Sequence, residues 1–429
     1  MKNTIKLLGI ITFISGVILS FSGCFSPYRG DEGFITISFG SNARAAAWPP
    51  TDGNGVLPAL EHRVTLKGTG ATKTHTIPKG TTTAKFSVAP GLWEITVEAW
   101  FGSVLFATGF GDVEVKVGEV NTVPITMTQE FDGTLYVAST TTEWGEAVGD
   151  ISGGGGYYII FVTNDFSAPG YPSANTFGNA SGINVTIIGN KTITLNSTGS
   201  LLRIGTGQNV TINDVKLKGQ GASVQNTTSL VYINGGTFTM NGSASVYDNT
   251  ASFTSILDGG GGVYVTDGAF NMNGGTVSGN YATGTNVGMG GGVFVYSGGN
   301  FTMSGNAKVY NNKAEVNGGG VCLSGTTDQP TFRMNNGTIY GNQSIGGTQG
   351  GGGVCVSTGT FRMVNGTIYG NIGAPNGNTS PTGSAALYKA SGSAAAEYGT
   401  YDSGGNWFLQ GSFGIYENDT IIVKDGNKL

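Results

Sequence analysis

Short runs of alternating apolar and polar residues occupy residues 34 to 129, and glycine or proline separates them. In the run at residues 92–98, Trp93, Ile95 and Val97 occupy alternate positions. Because successive side chains of a strand point to opposite faces, each run predicts a strand with one buried face. About seven or eight strands at this spacing predict a β-sandwich over residues 34–130. The segment at 42–59, which contains two consecutive prolines, is predicted to be a loop.

The pattern changes beyond about residue 135, where the sequence becomes self-similar. The methionines of a Phe-x-Met motif recur at intervals of 32, 31, 31 and 29 residues: Met240, Met272, Met303, Met334 and Met363. Each unit holds three short strand-like runs, which fits one coil of a three-sided β-helix. The chain is therefore predicted to be all-β, with a right-handed, single-stranded parallel β-helix of roughly eight coils over residues 135–390. Residues 391–429 lose the period and are predicted to form a C-terminal cap.

Within each coil, the period of two assigns three inward ladders and one polar corner. The inward positions are the Val pair after each glycine run, the Phe and Met of Phe-x-Met, and a later Val or Ile. One asparagine recurs at the corner of each coil: Asn249, Asn280, Asn312, Asn342 and Asn371. Asparagine tolerates the left-handed conformation, and its amide can hydrogen-bond along the stack. We therefore expect an asparagine ladder.

The N-terminus carries an export signal. Lys2 and Lys6 precede an apolar run at residues 7–19 that is too short for a permanent membrane span, so residues 1–23 are predicted to be a signal peptide. The following Phe-Ser-Gly-Cys24 resembles the lipobox of bacterial lipoproteins, although Phe21 stands where leucine is usual. This resemblance implies a diacylglyceryl group on Cys24, a tether at residues 24–33, and attachment to the outer membrane or cell surface through the lipid.

Composition and charge exclude several partners. The formal net charge is −5, charged residues make up 11% of the chain, and the sequence has no basic cluster. Nucleic acids and anionic lipid surfaces are therefore not expected as electrostatic partners. The glycine runs lack a following Lys-Ser/Thr and open no predicted helix, so they indicate corners and not a nucleotide site. We expect no cofactor and no metal.

The β-helix scaffold also supports polysaccharide lyases and hydrolases, which need paired carboxylates, or carboxylates for Ca²⁺ and a base. The acidic residues of the coils fall at different coil positions, mostly in turns: Asp214, Asp248, Asp258, Asp267, Glu315 and Asp328. His62 and His75 lie in N-terminal strands and are interpreted as half-exposed structural residues. The acidic group Glu143, Glu146 and Asp150 around Trp144 precedes the regular coils and is interpreted as a lead-in segment. No catalytic residue is predicted, and a carbohydrate-active enzyme remains the alternative.

Two cysteines occupy equivalent positions in adjacent coils. Cys322 and Cys355 each follow Gly-Gly-Val and lie 33 residues apart. Stacking would bring their Cα atoms to about 4.8 Å, within disulfide range, but parallel side chains are poorly aimed for the bond. A disulfide and two stacked structural thiols both remain open, whereas two ligands alone do not make a metal site.

An outward strip of aromatic and cationic residues is the candidate ligand site. Tyr310, Tyr340 and Tyr369 precede successive corners, and their inward neighbours direct the rings outward. Arg333 and Arg362 point outward on the next face, one coil apart. The tyrosines could serve the scaffold alone, stacking for stability while solvent screens the arginines. Alternatively, the strip binds glycans or acidic polymers.

The repeat unit resembles known β-helix families. Gly-Gly-Gly-Val, Phe-x-Met and the Gly-Asn corner are similar to the repeats of polymorphic outer membrane proteins and, more broadly, of pectate-lyase-like β-helices. The resemblance implies surface display and adhesion, with a glycan, host or envelope surface as the partner. A structural or adhesive module without catalytic activity is the expected function. For the N-terminal sandwich we expect an immunoglobulin-like or transthyretin-like topology.

Overall fold

The computed structural model describes residues 32–39, 60–68, 70–101, 104–130, 133–255, 259–284, 287–346, 350–371 and 376–429. The predicted signal peptide, Cys24, the loop at 42–59 and Asp258 lie outside these ranges. The described chain is nearly all β, and a β-sheet region precedes a parallel β-helix, so the predicted fold class is confirmed. The chain forms two compact units.

The N-terminal unit contains two sheets with strand orders β4-β1-β7 and β3-β2-β5-β6-β8. Its strands are β1 Gly33–Ser38, β2 Glu61–Gly68, β3 Ala71–Ile77, β4 Thr83–Val88, β5 Gly91–Phe101, β6 Val104–Val115, β7 Val120–Pro124 and β8 Met127–Gln129. Trp93, Ile95 and Val97 are buried on one face of β5, as the alternation predicts. β7 ends at Pro124, which has no backbone N–H to donate to a neighbouring strand.

The expectation that His62 is half-exposed is wrong. Its side chain is completely buried, with its ring centroid 4.6 Å from that of Phe39, and is not half-exposed. Burial lowers the pKa of His62 to about 4, so the ring is neutral near pH 7. His75 is exposed, and its ring centroid lies 4.8 Å from that of Phe86.

The second unit is a stack of coils with three faces. The first face comprises β9 Thr134–Ala138, β10 Gly156–Val162, β12 Ile183–Ile188, β15 Gln208–Asn213, β18 Thr237–Asn241, β21 Ala269–Met272, β25 Asn300–Met303, β29 Thr331–Met334, β33 Gly359–Met363 and β36 Ala394–Tyr401. The second face comprises β11 Phe166–Ala168, β13 Thr192–Leu195, β16 Lys216–Asn226, β19 Ser245–Ser252, β22 Thr276–Ser278, β26 Lys308–Tyr310, β30 Thr338–Tyr340 and β34 Gly366–Ile368.

The third face comprises β14 Leu202–Ile204, β17 Val231–Asn234, β20 Val263–Thr266, β24 Val293–Val295, β28 Val321–Leu323, β32 Val354–Val356 and β35 Leu387–Lys389. Three short strands continue the chain past the second face: β23 Tyr281–Thr283, β27 Lys313–Ala314 and β31 Gln343–Ser344. The strands of each face pair in parallel with their neighbours in the next coil. Within the described ranges, about seven turns form where the repeats predicted roughly eight.

Both ends of the stack are covered. At the start, helix α1 Thr141–Ile151 buries Trp144, Ala147 and Val148 against the first coils. At the end, β37 Trp407–Ser412, β38 Tyr416–Glu417 and β39 Ile421–Lys424 each pair antiparallel with the last strand of one face, and β40 Asn427–Lys428 pairs with β39. The reversed strands cover sheet edges that could otherwise pair with another chain. In the described ranges, no helix is long and apolar enough to cross a membrane.

The interior is filled by the three predicted ladders. The Phe-x-Met ladder is the most regular: the ring centroids of Phe270 and Phe301 lie 4.9 Å apart, and those of Phe301 and Phe332 lie 4.6 Å apart. Adjacent strands of a sheet lie about 4.8 Å apart, so identical residues in register stack ring on ring.

A buried asparagine ladder follows the corner after the second face, with two changes from the predicted set, the addition of Asn226 and the replacement of Asn371. Its members are Asn226, Asn249, Asn280, Asn312, Asn342 and Asn378. Asn378 replaces Asn371, which is exposed, because six further residues separate the last corner from the next buried amide. The left-handed conformation belongs to the residue before four of the ladder asparagines: Asp248, Gly279, Asn311 with φ 54° and Gly341 with φ 64°. The amides themselves satisfy buried backbone groups.

We predict that Asn312→Ala destabilises the stack by about 1–3 kcal/mol, because buried hydrogen-bonding groups lose their partners. The Asn312 Oδ1 atom accepts from the backbone N–H and Nδ2 of Asn280, and its Nδ2 donates to the Val277 carbonyl. The adjacent Asn311→Gly is the matched control, since glycine accepts the left-handed conformation. Urea unfolding followed by circular dichroism measures both, and equal midpoints for the two variants would contradict the ladder's role.

Candidate functional site

Two arginines stack on the outside of the first face. Arg333 in β29 and Arg362 in β33 are register partners, while their neighbours Phe332 and Met334 point into the core. Adjacent strands are about 4.8 Å apart, so two positive charges lie close together on this face. Like charges directly opposite one another are destabilising unless something offsets them.

The C-terminal hairpin of β36 and β37 compensates part of the repulsion between the two arginines. Glu397 is the register partner of Arg362, and its Oε2 atom lies 3.2 Å from the Arg362 Nε atom. The guanidinium of Arg362 also lies 5.2 Å from the Trp407 ring centroid. Burial lowers the pKa of Arg362, but hydrogen bonds to Tyr401 and Glu397 outweigh it and leave the pKa raised. The positive charge of Arg362 is therefore fixed in place by Glu397 and Trp407.

Arg333 is less fully compensated. Its Nε atom donates to Asn335 Oδ1 at 2.6 Å, and its guanidinium carbon lies 3.6 Å from the Tyr401 ring centroid. Within the described ranges, Arg333 has no carboxylate partner at ion-pair distance. The terminal nitrogens of Arg333 can therefore bind an external anion, for which a planar guanidinium favours carboxylates in a bidentate arrangement.

These side chains line an open pocket of about 330 Å³, which we call the arginine pocket. Its walls are Asn300, Thr302, Thr331, Phe332, Arg333, Thr360, Arg362 and Tyr401. The threonine and asparagine side chains offer hydroxyl and amide groups beside the cations. Sequence reasoning found both arginines but not Tyr401 or Glu397. Glu397 continues the outward column of Arg333 and Arg362, but it lies 35 residues after Arg362, where Ala396 and Tyr398 replace the Phe and Met of the motif, so the period did not reveal it.

The tyrosines form a separate outward column on the second face. Tyr310 and Tyr340 stack with centroids 5.0 Å apart and planes within 4°, and Tyr369 meets Tyr340 edge-on at 6.1 Å. Burial raises the pKa of Tyr340, with further contributions from Tyr310 and Tyr369. Tyr340 and Tyr369 line a pocket of about 260 Å³ that shares no residue with the arginine pocket. The predicted strip therefore consists of two surfaces, and mutual stacking of the tyrosines favours a scaffold role for them.

The two cysteines stack on the outside of the third face but are not exposed. Cys322 and Cys355 are register partners, both buried and both free thiols, in an apolar cluster with Phe294 and Tyr388. The left-handed Gly318 closes over this column, since a Cβ there would lie 2.6 Å from the Cys322 Cβ. The hydrogen bond to Cys355 and burial raise the pKa of the Cys322 thiol well above its usual range. A disulfide under oxidising conditions remains the open alternative to two stacked thiols.

The acidic residues of the coils have structural partners or turn geometry. Asp214, Asp248 and Asp267 adopt left-handed backbone conformations in turns. The Glu315 Oε2 atom accepts from the Gly284 N–H at 2.7 Å. In the lead-in segment, Glu143 Oε2 accepts from the Ser139 N–H at 2.7 Å and caps α1, and these bonds lower the pKa of Glu143. No group of three or more His, Cys, Asp or Glu side chains able to hold a metal occurs in the described ranges.

Comparisons with protein-family models, with curated proteins and with solved structures find no match for this chain. The fold and the site are therefore interpreted from the chain's own residues.

We predict that Cys322 and Cys355 react slowly with iodoacetamide in the native chain and rapidly in urea, because burial disfavours the reactive thiolate. Mass spectrometry of the two cysteine peptides measures the labelling. Rapid labelling of the native protein would contradict the burial of this column. A disulfide-linked peptide pair that appears only without reductant would establish the oxidised alternative.

Proposed function

We propose that this protein is a lipid-anchored component of the cell envelope, and that its β-helix is a non-catalytic adhesive or structural module that binds acidic glycans. The observation that carries the proposal is Arg333, a half-buried cation without a carboxylate partner in the described ranges, stacked on Arg362 in an open polar pocket. An arginine pair in such a pocket suits a carboxylate-bearing sugar, because the guanidinium fork matches the carboxylate.

The walls of the arginine pocket support a sugar ligand over a simple anion. Asn300 and Thr331 side chains are exposed at its rim, and the Thr331 hydroxyl donates to Asn300 Oδ1 at 2.6 Å. Hydroxyl and amide groups of this kind exchange hydrogen bonds with sugar hydroxyls. A rigid sheet holds them in place, which reduces the entropy lost on binding.

The proposed location depends on the sequence. The lipobox-like segment ending at Cys24 supports export and lipid attachment, and the repeat resemblance to polymorphic outer membrane proteins supports display and adhesion. The pectate-lyase-like resemblance raises the rival function of a polysaccharide lyase or hydrolase. Three carboxylates of the coils, at Asp214, Asp248 and Asp267, lie in left-handed turns. Glu397, beside the arginines, is held in an ion pair, so the binding function is favoured.

We predict that Arg333→Gln weakens binding of oligogalacturonates by about ten- to a hundredfold, since a hydrogen bond to a charged group contributes about 1.5–3 kcal/mol. Arg203→Gln is the matched control, because Arg203 also stacks on a tyrosine, at 3.9 Å from the Tyr232 centroid, but lies on the third face. Isothermal titration calorimetry measures the affinities, with neutral glucose oligomers as ligand controls. Equal losses in both variants, or no binding to any glycan of a carboxylated panel, would contradict the proposed function.

We predict that Cys24→Ala abolishes palmitate labelling and leaves an unprocessed or soluble chain, because the acyl site is lost while the export signal remains. Cys322→Ala, which alters a buried thiol, should keep the label. Metabolic labelling with radioactive palmitate followed by fractionation checks both variants. Palmitate label retained in Cys24→Ala would contradict lipid attachment at Cys24.

A further inference from the structure

A second concavity lies at the corner where the chain passes from the first face to the second. It measures about 400 Å³, and its lining includes Ser243, Asn273, Gly274, Gly275, Asn306 and Lys308. None of these residues belongs to the arginine pocket. We call this concavity the corner site.

The floor of the corner site is backbone. Gly274 and Gly275 are both buried, and Gly275 has a left-handed φ of 77°. A Cβ at Gly275 would lie 2.1 Å from the Ala244 carbonyl oxygen, so the stack requires glycine there. Within the described ranges, neither backbone N–H of this pair donates a hydrogen bond. Consecutive amides around a left-handed residue form anion-binding concavities in proteins, and buried N–H groups are rarely left without an acceptor.

The preceding coil already holds an anion at the equivalent corner. The Ser243 N–H and Oγ atoms donate to Asp214 Oδ1 at 2.7 and 2.8 Å. Ser243 and Gly274 occupy the same position, because Ser245 and Thr276, two residues later, are register partners. Gly274 lies one coil after Ser243, just as Ser243 lies one coil after Asp214. The side chain that faces Gly274 at the position of the Asp214 carboxylate is therefore that of Ser243, which carries no negative charge. The Gly274 amide thus repeats a carboxylate-binding turn without its carboxylate, whereas the Ala244 N–H, at the position of Gly275, donates to the Asn241 carbonyl within the turn.

The charge at the corner site favours an anion as well. Lys308 is the register partner of Thr276, is exposed, and has no ion-pair partner in the described ranges. The Asp214 carboxylate lies beneath Gly242, where Ser243 binds it, and Lys308 lies three coils further along the stack than Asp214. A lysine ammonium acts as a point charge that suits phosphate. The Asn273 Nδ2 atom donates to Asn241 Oδ1 at 3.0 Å and keeps a second hydrogen for a ligand, whereas the Asn306 atom nearest to the Gly274 Cβ position is Oδ1, an acceptor, at 3.4 Å.

We propose that the corner site binds a phosphate or sulfate group. Donors that come from the backbone floor, from Lys308 and from the Asn273 amide fit a tetrahedral oxyanion with three free oxygens better than a planar carboxylate. Free inorganic phosphate and a phosphate ester carried on a sugar or an envelope polymer share this chemistry. The site is independent of the arginine pocket and requires no lipid anchor or glycan ligand.

The test is calorimetric titration of the full chain with inorganic phosphate, sulfate, acetate and glucose 6-phosphate at constant ionic strength. The wild type should bind phosphate or sulfate more tightly than acetate. Lys308→Gln should weaken binding at least tenfold, and Lys424→Gln, which removes an exposed cation from the C-terminal cap, should leave it unchanged. Tighter binding of glucose 6-phosphate than of phosphate would assign the site to a carried ester, and equal binding would assign it to the free ion.

A second variant separates the floor from the lysine. Gly274→Ala, whose Cβ would lie 3.0 Å from the Gly242 carbonyl oxygen, narrows the concavity and should also weaken phosphate binding. Circular dichroism establishes that each variant folds. No measurable phosphate or sulfate binding by the wild type, or equal affinities of the wild type and folded Lys308→Gln, would overturn the proposal, whatever the outcome at the arginine pocket.

Discussion

The in-register stacking of successive coils is the constraint on which every surface of the β-helix depends. Parallel strands alone would hold the coils at the sheet spacing, but a slip of one residue would turn each inward side chain outward. The Asn280, Asn312 and Asn342 amides oppose such a slip, because each bonds to the next amide and to the backbone of the preceding coil. Buried amides with all partners satisfied specify one register. That register places Arg333 on Arg362 and Cys322 on Cys355.

The repeated part of the fold was predictable because each coil meets the same physical demands. Phe and Met at a fixed step must lie inside, and the glycine runs must allow close backbone approach, so the period assigns inward and outward positions. The helix α1 was missed because its short sequence lies between strand-like runs. Thr140 followed by Glu143 is, however, a capping-box pattern, and the Thr140 hydroxyl accepts from the Glu143 N–H at 3.3 Å. This signal was available in the sequence.

The candidate site was only half predictable for a different reason. Register predicts what lies on the same face one coil away, so it predicted the arginine pair. It does not predict where a non-repeating segment folds, and Tyr401 reaches Arg333 only because the C-terminal hairpin turns back over the first face. A non-repeating length also explains why Asn378 and not Asn371 joins the ladder. The connection before this amide is longer than in the other coils, so the ladder position is filled by a residue later in the sequence.

The register of the coils should place the guanidiniums of Arg333 and Arg362 on one ligand. A double-mutant cycle of Arg333→Gln and Arg362→Gln, measured as the affinity for one acidic oligosaccharide, tests this most directly. Residues that share a ligand group are coupled, whereas independent sites add within about 0.5 kcal/mol. We expect a coupling energy of about 1 kcal/mol or more between the two substitutions. Additive losses in folded variants would contradict it and would show that the two arginines do not share a ligand.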